Sequence, residues 1–267
     1  TQLIDDIRQR DQHYQNFIEQ LQSIHQRIVQ ASKSFLLVCE AQHSDDLLFA
    51  LQKTWSKTEH VHETPFVQSA AYSPDDSDHA WLIQTNVQFC ASAYPAVEIN
   101  HPDAAAFMVL GSYLRNGYLH SAIREQGGAY GGGAGYDGNS CAFRFYSYRD
   151  PRLAETFADF EQSIQWLLHS EQYEYQLEEA ILGLVASMDK PGSPAGEAIT
   201  TCYASLHGRT HDFRQQLRQR ILGVSLADLK RISEHYLLHK TPVRAVVAPI
   251  SKQDELLQLG FSLHKIH

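Results

Sequence analysis

The stretch REQGGAYGGGAGYDG, residues 124–138, places seven of the chain's fifteen glycines within twelve positions. Its neighbours decide how it is read. Upstream, Phe107, Leu110, Leu114, Leu119 and Ile123 keep a helical face, with Asn100 as the expected N-cap and Pro102 in the first turn. Downstream, CAFRFYSYR (141–149) sets Phe143 and Phe145 against Arg144, Tyr146 and Tyr148, the period of two of a half-buried strand. The glycines therefore join a helix ending at Gly127 to a strand. Gly133, Gly135 and Gly138 spell G-x-G-x-x-G, but that motif cradles phosphate only between a preceding strand and a following helix N-terminus. The reversed order argues against a nucleotide site. Three uses remain: a helix cap with a bare turn, a flexible lid, or a strand edge stripped of side chains so that an extended peptide can lie beside it. In the last, Arg124 and Tyr130 are hydrogen-bond donors aimed at peptide carbonyls.

Working outward, residues 3–29 carry apolar side chains at helical spacing over a Gln-rich face. SKSFLLVCEA (32–41) reads as a buried strand, 45–57 as a helix, 63–80 as a loop and WLIQTNVQFCASAY (81–94) as a strand. Asp150-Pro151 is expected to open a helix with core face Leu153, Phe157, Phe160, Ile164, Leu167 and Leu168. A second helix follows with Leu177, Ile181, Leu184, Val185 and Met188. Ser193-Pro194 starts a third, Asp212 caps a fourth, and Ser225 with Asp228 forms a capping box for a helix through Leu238. VRAVVAPI (243–250) is a buried strand, with a short helix and an edge strand after it. Strands early and late, helices massed between, and no regular βαβ alternation predict an α+β domain rather than a doubly wound one. Residues 1–31 are read as a helical lead-in from a preceding domain and 32–267 as the domain itself. The chain begins with Thr rather than Met, which suggests a piece of a longer polypeptide.

The balance of 22 Lys+Arg against 31 Asp+Glu gives a formal charge of -9, which repels phosphate backbones and argues against nucleic acid as a partner. No apolar run approaches the roughly 20 residues that span a bilayer, and the polar N-terminus lacks a signal-peptide core. Cys39, Cys90, Cys141 and Cys202 lack C-x-x-C spacing and read as buried, reduced thiols. Two histidine pairs have ligand spacing, His207 with His211 and His235 with His239. RISEH (231–235) is one residue short of H-x-x-E-H, with Arg231 where a first ligand belongs, and arginine has no lone pair to give. No metal site and no nucleophile motif emerges.

HSAIREQGGAYGGGAGYD and FRFYSYRDPRLAETFADF resemble the C-terminal half of the pitrilysin/insulinase family of zinc metallopeptidases, most closely its presequence-protease-type branch. The resemblance implies a mixed, mostly antiparallel sheet covered by helices. It also implies zinc in a separate N-terminal half, with an unfolded peptide enclosed between the halves. Arg124 and Tyr130 are the implied groups near the scissile carbonyl, with Gly127, Gly128 and Ala129 as substrate-binding backbone. The chain alone is expected to be inactive, its partners being peptide, the N-terminal half of its own polypeptide and possible second copies of itself. The implied location is the cytoplasm of a bacterium or the organelle matrix of a eukaryote. The rival from another class is a catalytically dead scaffold of the same family.

Overall fold

The computed structural model describes residues 11–31, 33, 35–55 and 77–265. They divide into two compact units, residues 1–74 with 192–208, and residues 75–191 with 209–267. The first unit holds α1 (Asp11–Gln30), α2 (Ser44–Trp55) and α6 (Pro194–Leu206). Ser193 caps α6 as its sequence predicts, its hydroxyl accepting the Gly196 N–H at 3.1 Å ahead of Pro194. The strand expected at 32–41 does not form over 35–40, where Phe35, Leu36, Leu37 and Val38 stay 37–47% exposed. A short apolar run fixes no conformation unless another strand pairs with it. Residues 3–10, 56–57 and 63–76 of the expected elements lie outside the described residues.

The second unit is a six-stranded sheet in the order β3-β4-β2-β5-β1-β6 with helices packed on it. Its strands are β1 (His79–Ile83), β2 (Phe89–Pro95), β3 (Gly131–Asp137), β4 (Ala142–Tyr148), β5 (Val243–Pro249) and β6 (Ser262–Lys265). The pairs β2/β4, β2/β5 and β3/β4 are antiparallel, and β1/β5 and β1/β6 are parallel. The single strand expected at 81–94 is two strands, and β5 inserts between them rather than letting them form a hairpin. The turn at 84–87 allows the reversal, and β5, apolar except for Arg244, gains by central placement.

The helices are α3 (Ala104–Leu114), a π-helical continuation (Arg115–Gln126), α4 (Ala154–His169), α5 (Glu174–Met188), α7 (His211–Leu222), α8 (Leu226–Tyr236) and α9 (Gln253–Gln258). Helix α3 is nearly apolar all round, as befits a helix enclosed by β3, α4, α5, α7 and α8. Phe143 and Phe145 of β4 are both 0% exposed and join the sheet to the helices, Phe143 against Phe107 at 5.7 Å and Phe145 stacked on Phe160 at 5.5 Å. Side chains of this size stabilise by about 1.5–3 kcal/mol each when fully buried. The Ser225/Asp228 capping box of α8 forms as expected.

Three caps move. Asp103, not Asn100, precedes α3, because the turn 98–103 is closed by backbone bonds before the helix starts. Asp150 lies three residues ahead of the Leu153 cap of α4; its carboxylate accepts the Arg152 N–H at 2.9 Å and the Thr156 hydroxyl at 2.7 Å. Thr210 rather than Asp212 caps α7, its hydroxyl accepting the Phe213 N–H. All four cysteines are free; Cys90 is buried as expected, but Cys39 is exposed and Cys141 and Cys202 are half-buried.

Candidate functional site

The site begins where the helix ends. Arg115–Gln126 is π-helical, a rare geometry that recurs at functional sites. Its buried residues Leu119 and Ile123 follow Leu114 of α3. The five-residue step from Leu114 to Leu119, which the sequence shows, is the legible trace of the wider coil. The segment closes on glycine. The Gly128 N–H reaches the Arg124 carbonyl and the Ala129 N–H the Ile123 carbonyl, both at 3.1 Å, with Gly128 at φ 78°, which L-residues rarely adopt. At Gly127 a Cβ would run into the Arg152 guanidinium. That guanidinium crosses the helix end to bond the Ala122 carbonyl at 3.2 Å and the Asp159 carboxylate at 2.9 Å, tying it to α4. Gly127 and Ala129 are thus buried, while Arg124, Gly128 and Tyr130 are exposed, Tyr130 by 67%.

Tyr130 is anchored by its backbone and exposed at its ring. Its N–H donates to the Tyr148 carbonyl at 3.1 Å and the Arg149 carbonyl at 3.4 Å, and its ring meets Tyr148 edge-on at 5.7 Å. Tyr148 in turn meets Phe89 at 5.2 Å, and the Arg149 guanidinium carbon stands 5.7 Å from the Tyr148 ring centre. Beyond Tyr130 runs β3, an outer strand of the sheet paired with β4 alone.

The glycines of β3 serve two faces. Gly132 lies against Ile123, where a Cβ would come within 2.7 Å of the isoleucine methyl. Three residues on, the β3 backbone meets α3 so closely that a Cβ on Gly111 would stand 2.8 Å from the Gly135 Cα. Gly131 and Gly135, in register with Tyr148 and Arg144, have nothing within 4 Å of where a Cβ would stand. Gly133 admits the Arg115 stem and the Tyr146 hydroxyl on the same face.

Charge is uneven around this strand. Arg144 pairs with Asp137 at 3.2 Å, and the Asn139 N–H holds the Asp137 carboxyl below the usual carboxylate range. Among the described residues, no carboxylate pairs with Arg115, Arg124 or Arg149. The buried groups nearby are chemically quiet. Burial pushes the Cys90 thiol and the Tyr136 phenol each up to about 12, and Tyr136 donates to the Val97 carbonyl at 2.6 Å. A cavity of about 640 Å³ lined by Asn100, Phe213, Gln216, Gln219 and Arg220 includes none of the residues singled out in the glycine stretch.

No cluster of three or more His, Cys, Asp or Glu side chains converges among the described residues. Arg231, at the ligand position of the near-motif RISEH, bonds Asp103 at 2.6 Å while Tyr236 donates to the other carboxylate oxygen at 3.0 Å. The pair links α8 to the start of α3. His207 ends α6, whereas His211 begins α7 and its Nε2 lies 3.0 Å from Gln215 Nε2. These residues do not fit a zinc centre.

A family model described as the PreP C-terminal domain matches residues 79–251, from β1 through β5. The chain belongs to this presequence protease C-terminal domain family. Mitochondrial presequence protease of Saccharomyces cerevisiae is 38% identical over 164 residues, covering 61% of this chain and 16% of the relative. That of Yarrowia lipolytica is 31% identical over 226 residues, covering 83% and 22%. The chain thus spans about a fifth of the length of these relatives. The fold recurs in a protease from Helicobacter pylori, with TM-score 0.59, 14% identity, and 77% of this chain and 52% of that one covered. It recurs also in a peptidase inactive domain from Pseudomonas fluorescens, with TM-score 0.52, 15% identity and 64% and 43% covered. The α+β architecture with a mixed, mostly antiparallel sheet covered by helices is that of these domains. Phe89, Tyr148, Arg149 and Arg115 were not singled out as site residues from sequence. Tyr148 was legible as an outward residue of β4, but nothing in the sequence joins it to Tyr130.

Proposed function

We propose that this chain is the zinc-free C-terminal part of a peptide-degrading zinc metallopeptidase, inactive alone, which presents Arg124, Gly128 and Tyr130 to an extended peptide. The observation that carries the reading is Tyr130: an exposed phenol on a backbone anchored to β4, at the entrance to an outer strand almost free of side chains. An outer strand can receive a peptide by main-chain bonding, and Gly131 and Gly135 add no side chain at two open positions beside it. Gly127 and Ala129 support this surface from beneath. When a peptide carbonyl is attacked its oxygen gains negative charge, and a phenol O–H aimed at that oxygen is an oxyanion-hole donor. Arg124 supplies a cation with five donors and fixes the peptide backbone. In this reading the metal and the water-activating carboxylate belong to polypeptide outside this chain. The mitochondrial location of the named relatives supports an organelle matrix for a eukaryotic source.

The test is Tyr130→Phe and Arg124→Ala in the full-length protein, assayed on an unstructured fluorogenic peptide. Loss of one oxyanion donor lowers kcat by about 10²–10³-fold. Unchanged turnover in both variants would refute the role and leave the scaffold reading standing.

A further inference from the structure

The glycine strand ends beside an arginine whose backbone is held in an unusual conformation. Arg149 has φ 51°, in the left-handed region that side-chain-bearing residues seldom occupy. Its neighbours hold it there. Asp150 exchanges both backbone bonds with Gln88, each at 2.8 Å. The Asp150 side chain, 0% exposed, accepts the Arg152 N–H and the Thr156 hydroxyl and has the Arg152 Nε at 3.9 Å. Arg149 itself accepts the Tyr130 N–H at its carbonyl. Backbone strain held this firmly is characteristic of functional sites. The kink leaves the exposed guanidinium beside the Tyr148 ring, whose other neighbours are Tyr130 and Phe89. In a chain of net charge -9, Arg144, Arg152, Arg218, Arg231 and Arg244 each pair with an acid. Among the described residues no carboxylate pairs with Arg149, although a planar guanidinium over an aromatic ring suits bidentate capture of one.

We infer that Arg149 is a specificity-determining residue that binds a carboxylate of the substrate peptide, near the carbonyl held by Tyr130. The inference rests on the proposed role of Tyr130. Distance sets the register: Arg149 and Tyr130 each lie 5.7 Å from Tyr148. The Tyr130 ring centre and the Arg149 guanidinium carbon are therefore at most about 11 Å apart, a little over three residues of extended chain at 3.3–3.4 Å each. An acidic side chain or chain terminus within about three residues of the scissile bond would reach the guanidinium.

The experiment scans one glutamate, against glutamine as its isostere, through the three positions on either side of the cleaved bond of a quenched-fluorescent peptide. The enzyme is the full-length protein, in parent, Arg149→Gln, Arg149→Lys and Arg149→Gly forms. The glycine variant relieves the left-handed strain, so it also guards against a mere folding defect. At one position the parent should prefer glutamate over glutamine in kcat/KM by about fivefold, the ratio falling to near one in Arg149→Gln and Arg149→Gly. Arg149→Lys should retain part of the ratio. A parent ratio within twofold of one at every position, or a preference that survives in Arg149→Gly, overturns the carboxylate site. Tyr130→Phe, run on the same peptides, separates the two ideas. If it slows all of them and the ratio is absent, the Arg149 inference alone fails; if it slows none, the site reading fails and takes this inference with it.

Discussion

Gly111→Ala and Gly183→Ala are the same chemical change in two helices and should have opposite signs. Glycine in a helix interior costs about 0.5–1 kcal/mol relative to alanine, so an unobstructed replacement stabilises by that amount. Gly183 in α5 is exposed, with nothing within 4 Å of where its Cβ would stand, and Gly183→Ala should raise stability by about 1 kcal/mol. Gly111 in α3 offers the same gain against a collision: its Cβ would stand 2.8 Å from the Gly135 Cα, 3.1 Å from the Ala134 oxygen and 3.3 Å from the Gly135 nitrogen. All three are backbone atoms of β3, which cannot rotate away as a side-chain end would. Overpacking of this kind costs about 1–3 kcal/mol, leaving Gly111→Ala about 1–2 kcal/mol below the parent. The two variants should differ by about 2–3 kcal/mol, or about 5–10 °C in Tm for a chain of this size. Urea titration followed by circular dichroism would measure the first and a thermal scan the second. If Gly111→Ala proves as stable as the parent or more so, the close approach of α3 to the glycine strand is wrong, and with it the explanation of that strand.

Gly131→Ala and Gly135→Ala, which meet nothing, should change stability by less than about 0.5 kcal/mol. In the full-length protein they should nonetheless raise KM for peptide, and an unchanged KM in both would remove the peptide from that face. Gly132→Ala, which presses on Ile123, should destabilise by about 1–3 kcal/mol by urea titration. Arg231 chiefly holds the Asp103 carboxyl below its ordinary value, so this contribution is complete above the unfolded carboxyl range near pH 3.9 and is lost as pH falls through the folded value. Asp103→Asn should therefore cost about 1–2 kcal/mol at pH 7 and flatten the acid limb of the stability profile; an acid limb identical to the parent's would contradict the pair's role. Metal analysis of the purified chain after zinc loading and desalting should find well under one equivalent, and one tightly held zinc would overturn the assignment of the metal to other polypeptide.

Periodicity carried most of the helical architecture and β4. The Phe143/Phe145 alternation, the Leu153-to-Leu168 face and the Ser225/Asp228 box each depend on contacts within a few residues, which a local pattern encodes. The errors lie where distant partners decide. No local signal says that β5, some 150 residues later, separates β1 from β2. Nor does one say that 35–38 pair with no strand among the described residues. The caps shifted by two or three residues where local bonds outrank residue type: backbone bonds close the turn 98–103 so that Asp103 rather than Asn100 precedes α3, Asp150 turns its carboxylate to Thr156 and the Arg152 amide, and the Thr210 hydroxyl takes the Phe213 N–H ahead of Asp212. At the site, Arg124 and Tyr130 were legible because they interrupt a glycine run. Arg149 was not, since its left-handed backbone is imposed by Gln88, sixty-one positions earlier.

The glycine stretch is best understood as two requirements overlaid. Four glycines in the seven residues of β3 weaken a strand, since each adds backbone entropy to lose and no side chain to pack. An outer strand needing only a turn-to-sheet connection would gain from threonine or valine at the open positions. On the helix-facing side the small residues are enforced by sterics: Gly132 by Ile123, and the strand as a whole by Gly111 of α3. That accounts for the inward positions without any appeal to function. Gly131 and Gly135 have no such excuse, because a Cβ at either meets only open space and neither φ is positive. An unpaired strand edge is also a hazard for self-association, and glycine at the face reduces the apolar surface that would sustain it while leaving main-chain donors and acceptors available. Packing thus selects the inward glycines, and the outward ones fit the proposed reading, in which a peptide backbone passes along this strand.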